Sequence, residues 1–227
     1  MLILRLEMQG LKRYISSLSA EEKANTLTHL IAVIATLAVA YPFIHLASQA
    51  QACTPKYQIL GTTLFLAGML LMYSSSTIYH AVTHPVHKRR FRVLDHISIF
   101  VMIAGSYSPV CLTALGGWMG WSLFVFLWAC VIAGIVGKII ALGKYPRLSL
   151  ALYLVMGWTA LIVLWPLWQR ISHAAFFWIF AEGVFYSIGA YFFHHDEEHA
   201  FYHAIWHIFI ILGSVSHSIA TYILLTT

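Results

Sequence analysis

Seven apolar stretches, each close to the ~20 residues that a helix needs to cross a bilayer, decide what this chain can become. They fall near 24–47, 57–80, 94–115, 119–141, 148–168, 174–193 and 201–225. In hydrocarbon every backbone N–H and C=O must find a partner within the protein, and a continuous apolar run of this length meets that demand as a helix. Hydrophobic residues make up 60% of the 227 and charged ones 9%, more apolar surface than a water-soluble domain can hide. The connections are short, so the runs form one compact unit. The expected fold is an all-α integral membrane protein, a bundle of seven transmembrane helices, with an arm at 1–23 and the bundle at 24–227. The arm is polar and basic, with an amphipathic surface helix expected around Leu2 to Leu18. No small-residue cleavage site follows the first apolar run, so no cleavable signal peptide is expected.

Charge sets the expected orientation. With the N-terminus inside, the cytoplasmic segments hold Arg5, Lys12, Arg13, Lys23, Lys88, Arg89, Arg90, Arg92, Lys138, Lys144 and Arg147, and the far side only Lys56 and Arg170. Eleven against two is a strong positive-inside bias, and it predicts an N-in, C-out multi-pass protein of the cell membrane. The loop 194–200, inside by alternation, carries no Lys or Arg; its acidic residues count for little in that rule. Trp118, Trp121, Trp165, Trp168 and Trp178 gather near the outer ends, as an interfacial belt should. Glycines recur within the spans and permit close helix approach. Cys53, Cys111 and Cys130 have neither metal-site spacing nor a disulfide pattern. No nucleic-acid motif is present, and the sequence does not report an oligomeric state.

Once the spans are oriented, the polar residues sort by depth. The second span ends inside with Ser76 and His80, four residues apart on one face. The third begins there with Asp95, and the seventh with His203 and His207, again four apart and about 6 Å along the axis. Glu22, Asn25 and His29 open the first span at the same level and are candidates for the surrounding shell. Ionisable groups inside a membrane are costly and generally face a partner or a wet cavity. Three neutral imidazoles with an open fourth position are the ligand set of a catalytic zinc site, and nitrogen donors favour zinc over magnesium or calcium. Asp95 and Ser76 would then hold the water beside the metal. On spacing alone the same residues also suit helix ends that meet the interface.

The remaining histidines have plainer expected roles. His84 and His87, beside Lys88-Arg89-Arg90, are expected in a basic loop facing headgroups. His45 and His173 lie near the outer interface. His194, His195 and His199 share a solvated loop with Asp196, Glu197 and Glu198 that could attract a metal weakly. His217, about 15 Å beyond His207, is too deep to share its metal and is expected to be a hydrogen-bonded interior group. Glu182 is expected to be buried and paired or protonated. His29 either serves the site or buttresses Asp95 or Asn25.

Taken in order, several stretches carry a family resemblance: Glu22-x-x-Asn25-x-x-Thr28-His29, Ser75-Ser76-Thr77-Ile78-Tyr79-His80, Leu94-Asp95-His96 with Ala104-Gly105-x-Tyr107-x-Pro109, Tyr153-x-x-Met156-Gly157-Trp158, and His203-Ala204-Ile205-Trp206-His207 with Gly213 and His217. With them the chain resembles the hemolysin III proteins, the bacterial branch of the progestin and adipoQ receptor family. The resemblance implies a seven-helix fold with zinc near the cytoplasmic face, held by His80, His203 and His207, with Ser76 and Asp95 around the bound water. The wider superfamily includes alkaline ceramidases, which implies hydrolysis of a ceramide-like amide or ester in membrane lipid homeostasis, with membrane lipids as substrate or ligand. Two other functions fit the same residues: a membrane sensor in which zinc only clamps helices, and the pore-forming cytolysin of the family name. A multi-spanning resident protein without a secretion signal is poorly suited to the last. The chain departs from the family pattern at His194 to His199, acidic and histidine-rich where relatives are often shorter and basic.

Overall fold

The structure, a computed structural model, describes residues 16–49, 55–141, 144 and 146–227. The arm and surface helix expected near Leu2 to Leu18 lie outside the described residues up to position 15. Helices follow in the order α1 (Ala20–Gln49), α2 (Pro55–Ala81), α3 (Pro85–Pro109), α4 (Gly117–Ala141), α5 (Pro146–Gly157), α6 (Leu164–Arg170), α7 (His173–His194) and α8 (Tyr202–Thr226). A π-helical turn at Val110–Leu115 prolongs α3, and a 3-10 segment at Trp158–Val163 joins α5 to α6. Among the described residues these make seven spans long and apolar enough to cross a membrane, and no strand. The bundle closes on itself, because α1 packs against both α2 and α8. Two apolar clusters fill it. One joins α3, α4 and the fifth and sixth spans around Phe100, Cys111, Leu127, Met156 and Leu167. The other joins α1, α2 and α3 around Ala32, Phe65, Met69 and Tyr73.

Two boundaries differ from the sequence expectation. The third span begins at Pro85, not near 94, because His84 takes an extended conformation (φ −68°, ψ 121°) and Pro85 stands in the first turn, where its missing N–H costs nothing. His87 and the run Lys88, Arg89, Arg90 therefore lie on a helix, and the connection shrinks to 82–84. Hydropathy marks the depth of apolar surface; it does not mark where helical hydrogen bonding starts. The fifth span, expected as one helix over 148–168, breaks after Gly157. Tyr107 patches the break: its hydroxyl donates to the Gly157 carbonyl and accepts the Ala160 N–H at 2.9 Å. Backbone groups freed within a membrane need such partners.

α2 and α3 approach each other backbone to backbone. A Cβ at Gly105 would stand 2.8 Å from the Leu64 carbonyl oxygen, and one at Gly61 2.8 Å from Pro109 Cα. Neither neighbour is a flexible side chain that can swing away. Gly105→Ala is expected to destabilise the protein by about 1–3 kcal/mol, read as a lower melting temperature in detergent. An unchanged melting temperature would show that the two helices can slide apart without cost.

Candidate metal centre

The last turn of α2 and the first turns of α8 meet at the end of the bundle where α1 begins. His80 comes from α2 and His203 and His207 from α8, and the three rings form a triangle with centroid separations of 5.0, 5.1 and 4.8 Å. One ring nitrogen from each lies within 4.8 Å of the others, so together they could hold a metal ion. The i, i+4 pair on α8 supplies two of these donors from a single helix face, and the packing of α8 against α1 and α2 brings in the third.

Hydrogen bonds decide which nitrogen each ring presents. His80 Nδ1 lies 2.6 Å from Glu22 Oε2, and His203 Nδ1 lies 2.6 Å from Asp196 Oδ2. A carboxylate only accepts, so both Nδ1 atoms carry the proton. His207 Nδ1 is 3.1 Å from Thr28 Oγ1. The Thr28 hydroxyl already donates to the carbonyls of Ala24 and Asn25, both at 3.0 Å, and it is thereby left to accept from His207. All three histidines thus turn a bare Nε2 lone pair inward. Each Nε2 is buried and has no partner among the described residues. A buried acceptor left unmade costs about 1–3 kcal/mol, so three that converge within one small space point to a cation as their common partner.

The holders are themselves anchored. Glu22 Oε1 accepts from Lys88 Nζ at 2.7 Å, and that ammonium also reaches the Tyr79 carbonyl at 3.3 Å. Glu21 Oε1 accepts the Phe201 N–H at 3.1 Å, which ties the start of α1 to the start of α8. Phe201 has a left-handed backbone (φ 64°), an uncommon state for a residue with a Cβ. It turns the chain from the 195–201 segment, where Asp196 sits, into α8.

The other expected residues are all buried here. Asp95 lies beside Ser76 and within electrostatic reach of His203. Asn25 is buried, with its side-chain oxygen unpartnered among the described residues. His29 does not buttress Asp95 or Asn25. Its ring stacks flat on His207, centroids 3.6 Å apart at 14°, with Tyr73 against its edge at 5.1 Å, and neither nitrogen has a partner among the described residues. Sequence reasoning gave Asp196 no role at the site, placing it in a solvated loop. The signal was a carboxylate seven residues before His203, close enough for one reversal of the chain to bring it back. Thr28 stands within the quoted motif, yet only the fold shows that it faces His207.

Seven membrane-spanning helices with a three-histidine cluster at one end define a polytopic membrane protein with a helix-borne candidate metal centre. The chain belongs to the haemolysin-III-related family, whose model matches residues 18–218. It is 39% identical over 197 residues to the hemolysin-3 homolog of Bacillus subtilis (strain 168), covering 86% of this chain and 90% of that protein. It is 35% identical over 195 residues to hemolysin-3 of Bacillus cereus, covering 86% and 87%. The human monocyte to macrophage differentiation factor is 26% identical over 208 residues, covering 87% and 81%. No solved structure matches the chain significantly.

Proposed function

We propose that the protein is a zinc-dependent hydrolase of membrane acyl lipids, with amides of the ceramide type or phospholipid esters as substrates. The observation that carries this is the gathering of three buried, unpartnered Nε2 atoms, with Asp95 and Ser76 close by. Three imidazole nitrogens with no sulfur suit zinc, which takes three protein ligands and keeps one open position in catalytic sites. When bound there, zinc supplies Lewis-acid polarisation of a carbonyl and a water acidic enough to ionise near neutral pH. The chain supplies the rest. Asp95 takes the proton from the attacking water and returns it to the leaving amine or alcohol. Ser76, donating to Asp95, keeps that carboxylate in one orientation. Glu22, Asp196 and Thr28 fix the ring tautomers, so that all three nitrogens stay available together. The basic first turns of α3, with Lys88 to Arg92, lie alongside at headgroup depth, where a lipid carbonyl comes within reach.

In this reading the histidine end faces the cytoplasm, N-terminus in and C-terminus out, as the charge bias of eleven to two suggests. Alkaline phosphatase and a cytoplasmic reporter fused in turn to Thr227 test this; alkaline phosphatase is expected to be the active one. Activity of the cytoplasmic reporter alone would reverse the orientation.

The test of function is release of free fatty acid from ceramide-like amides and phospholipid esters by the purified protein in nanodiscs. Release is expected from at least one class and should be abolished by a chelator. Stoichiometric zinc with no release from any substrate would reject the enzyme in favour of a regulator clamped by its metal.

A further inference from the structure

All three Nε2 atoms of the metal centre are closed off from solvent, so a cation has to be let in. Exposure marks the side from which it comes. His207 and His80 are 0% and 4% exposed, whereas the side chains of His203 and its partner Asp196 keep 16% and 20%. Asp196 belongs to the segment 195–201, between the end of α7 at His194 and the start of α8 at Tyr202. This segment is a run of turns with short-range backbone bonds, from the Glu198 N–H to the His195 carbonyl at 3.1 Å and from the Tyr202 N–H to the His199 carbonyl at 3.3 Å. Two hydrogen bonds tie it to α8 and α1, Asp196 to His203 and the Phe201 N–H to Glu21.

Charge separates this side from the other. Two carboxylates connect a ligand ring to the surface, Asp196 from His203 and Glu22 from His80. Glu22 is capped by the Lys88 ammonium at 2.7 Å, and Arg89 and Arg90, next to Lys88 on α3, are exposed. A divalent cation arriving there meets like charge. Beside Asp196 stand Glu197, Glu198 and His199, all exposed, with no Lys or Arg between His194 and Tyr202. Neither glutamate side chain has a hydrogen bond or ion pair among the described residues. Such an acidic run on its own is an ordinary solvated turn. Here it continues into Asp196, which bonds a ring clustered with the buried, unpartnered Nε2 atoms of His80 and His207.

We propose that this acidic segment is the route by which the metal enters: Glu197, Glu198 and His199 collect a divalent cation from water, and Asp196, on swinging off His203, passes it to the three Nε2 atoms. The route rests on the reading above that these histidines hold zinc, but not on any hydrolysis. Clustered charge of one sign concentrates its counter-ion and speeds arrival by about 10–10³-fold, an effect that salt suppresses. Surface carboxylates bind a transition metal less well than three imidazoles do, so the ion moves inward.

Stopped-flow loading of the chelator-stripped full chain with zinc tests this, in nanodiscs of uncharged lipid and with a weak, fast-exchanging zinc dye as the reporter. Changing Glu197→Gln and Glu198→Gln together is expected to slow loading about tenfold at low ionic strength. The final zinc content should match that of the wild type, and the difference in rate should fade in high salt. Arg89→Gln with Arg90→Gln alters net charge by as much on the other side, and should change the rate far less. Equal loading rates for wild type and the glutamate variant would overturn this route and leave the metal centre standing. An arginine variant that speeds loading as much as the glutamate variant slows it would overturn the route too, since net charge would then set the rate. So would a glutamate variant that melts like the wild type but ends with less zinc, because the segment would then be the binding site itself. A wild type that never takes up zinc would overturn the metal reading and the route together.

Discussion

Replacing His203 and His207 together with alanine is expected to remove nearly all bound zinc while leaving the bundle folded. Exchange of a mere holder of a metal ligand typically costs about 10–100-fold in affinity, and this variant loses two of three ligands outright. Glu22→Gln and Asp196→Asn, which disturb only the Nδ1 side of His80 and His203, set the smaller scale for comparison. The folded state should respond in a characteristic way. Metal that binds only the native protein stabilises it by about 4 kcal/mol at a thousand times Kd, so wild-type protein should melt higher with added zinc. The double variant should show no such shift, and without zinc it should be no less stable than wild type, because two buried unpaired acceptors have gone. Elemental analysis and thermal melts read both effects. Undiminished zinc in the double variant would sink the assignment, and zinc lost only on changing His194, His195 and His199 would move the metal to the preceding loop.

Asp95→Asn is expected to keep zinc and fold but to lower lipid turnover by about 10²–10⁴-fold. The amide matches the carboxylate in size and can still accept from Ser76, but it cannot take up a proton. A structural Asp95 would give a different result, with modestly weaker metal retention and unchanged turnover. Fatty-acid release that neither this substitution nor a chelator reduces would come from a contaminating enzyme.

The spans were legible because hydrocarbon imposes a single rule on the backbone, and apolar length reports it directly. The tripling of histidines at one depth was equally legible, since His80, His203 and His207 lie at span ends whose level follows from topology. Irregularities were not. The break after Gly157 depends on Tyr107 of another helix being present to receive the freed backbone groups, and hydropathy carries no trace of that partner. The start of α3 was misplaced because charged residues at an interface can be helical without being apolar. Asp196 and Thr28 went unrecognised for a related reason. Their roles are set by what lies opposite them across a turn or a helix interface, whereas composition places an acidic loop residue in water and a threonine on an arbitrary face. His29 shows the reverse: its place in a motif suggested a hydrogen-bonding role, and packing against His207 and Tyr73 gave it a stacking one.

The centre is also a closure of the chain upon itself. Thr28 and His207 are 179 residues apart in sequence, and Glu22 and Asp196 come from the two ends of the same ring. A ribosome delivers α1 and α2 first and α8 last, so the donors supplied early must wait through the insertion of five further spans. Until α8 arrives, His80 has its carboxylate holder but no companion ligands, and a lone imidazole binds metal weakly. If the three histidines hold a metal, its loading would be confined to chains whose synthesis has run through the final span. A nascent or truncated product ending before Tyr202 would carry one of the three ligands and acquire nothing, and metal occupancy would then be a record of completed assembly.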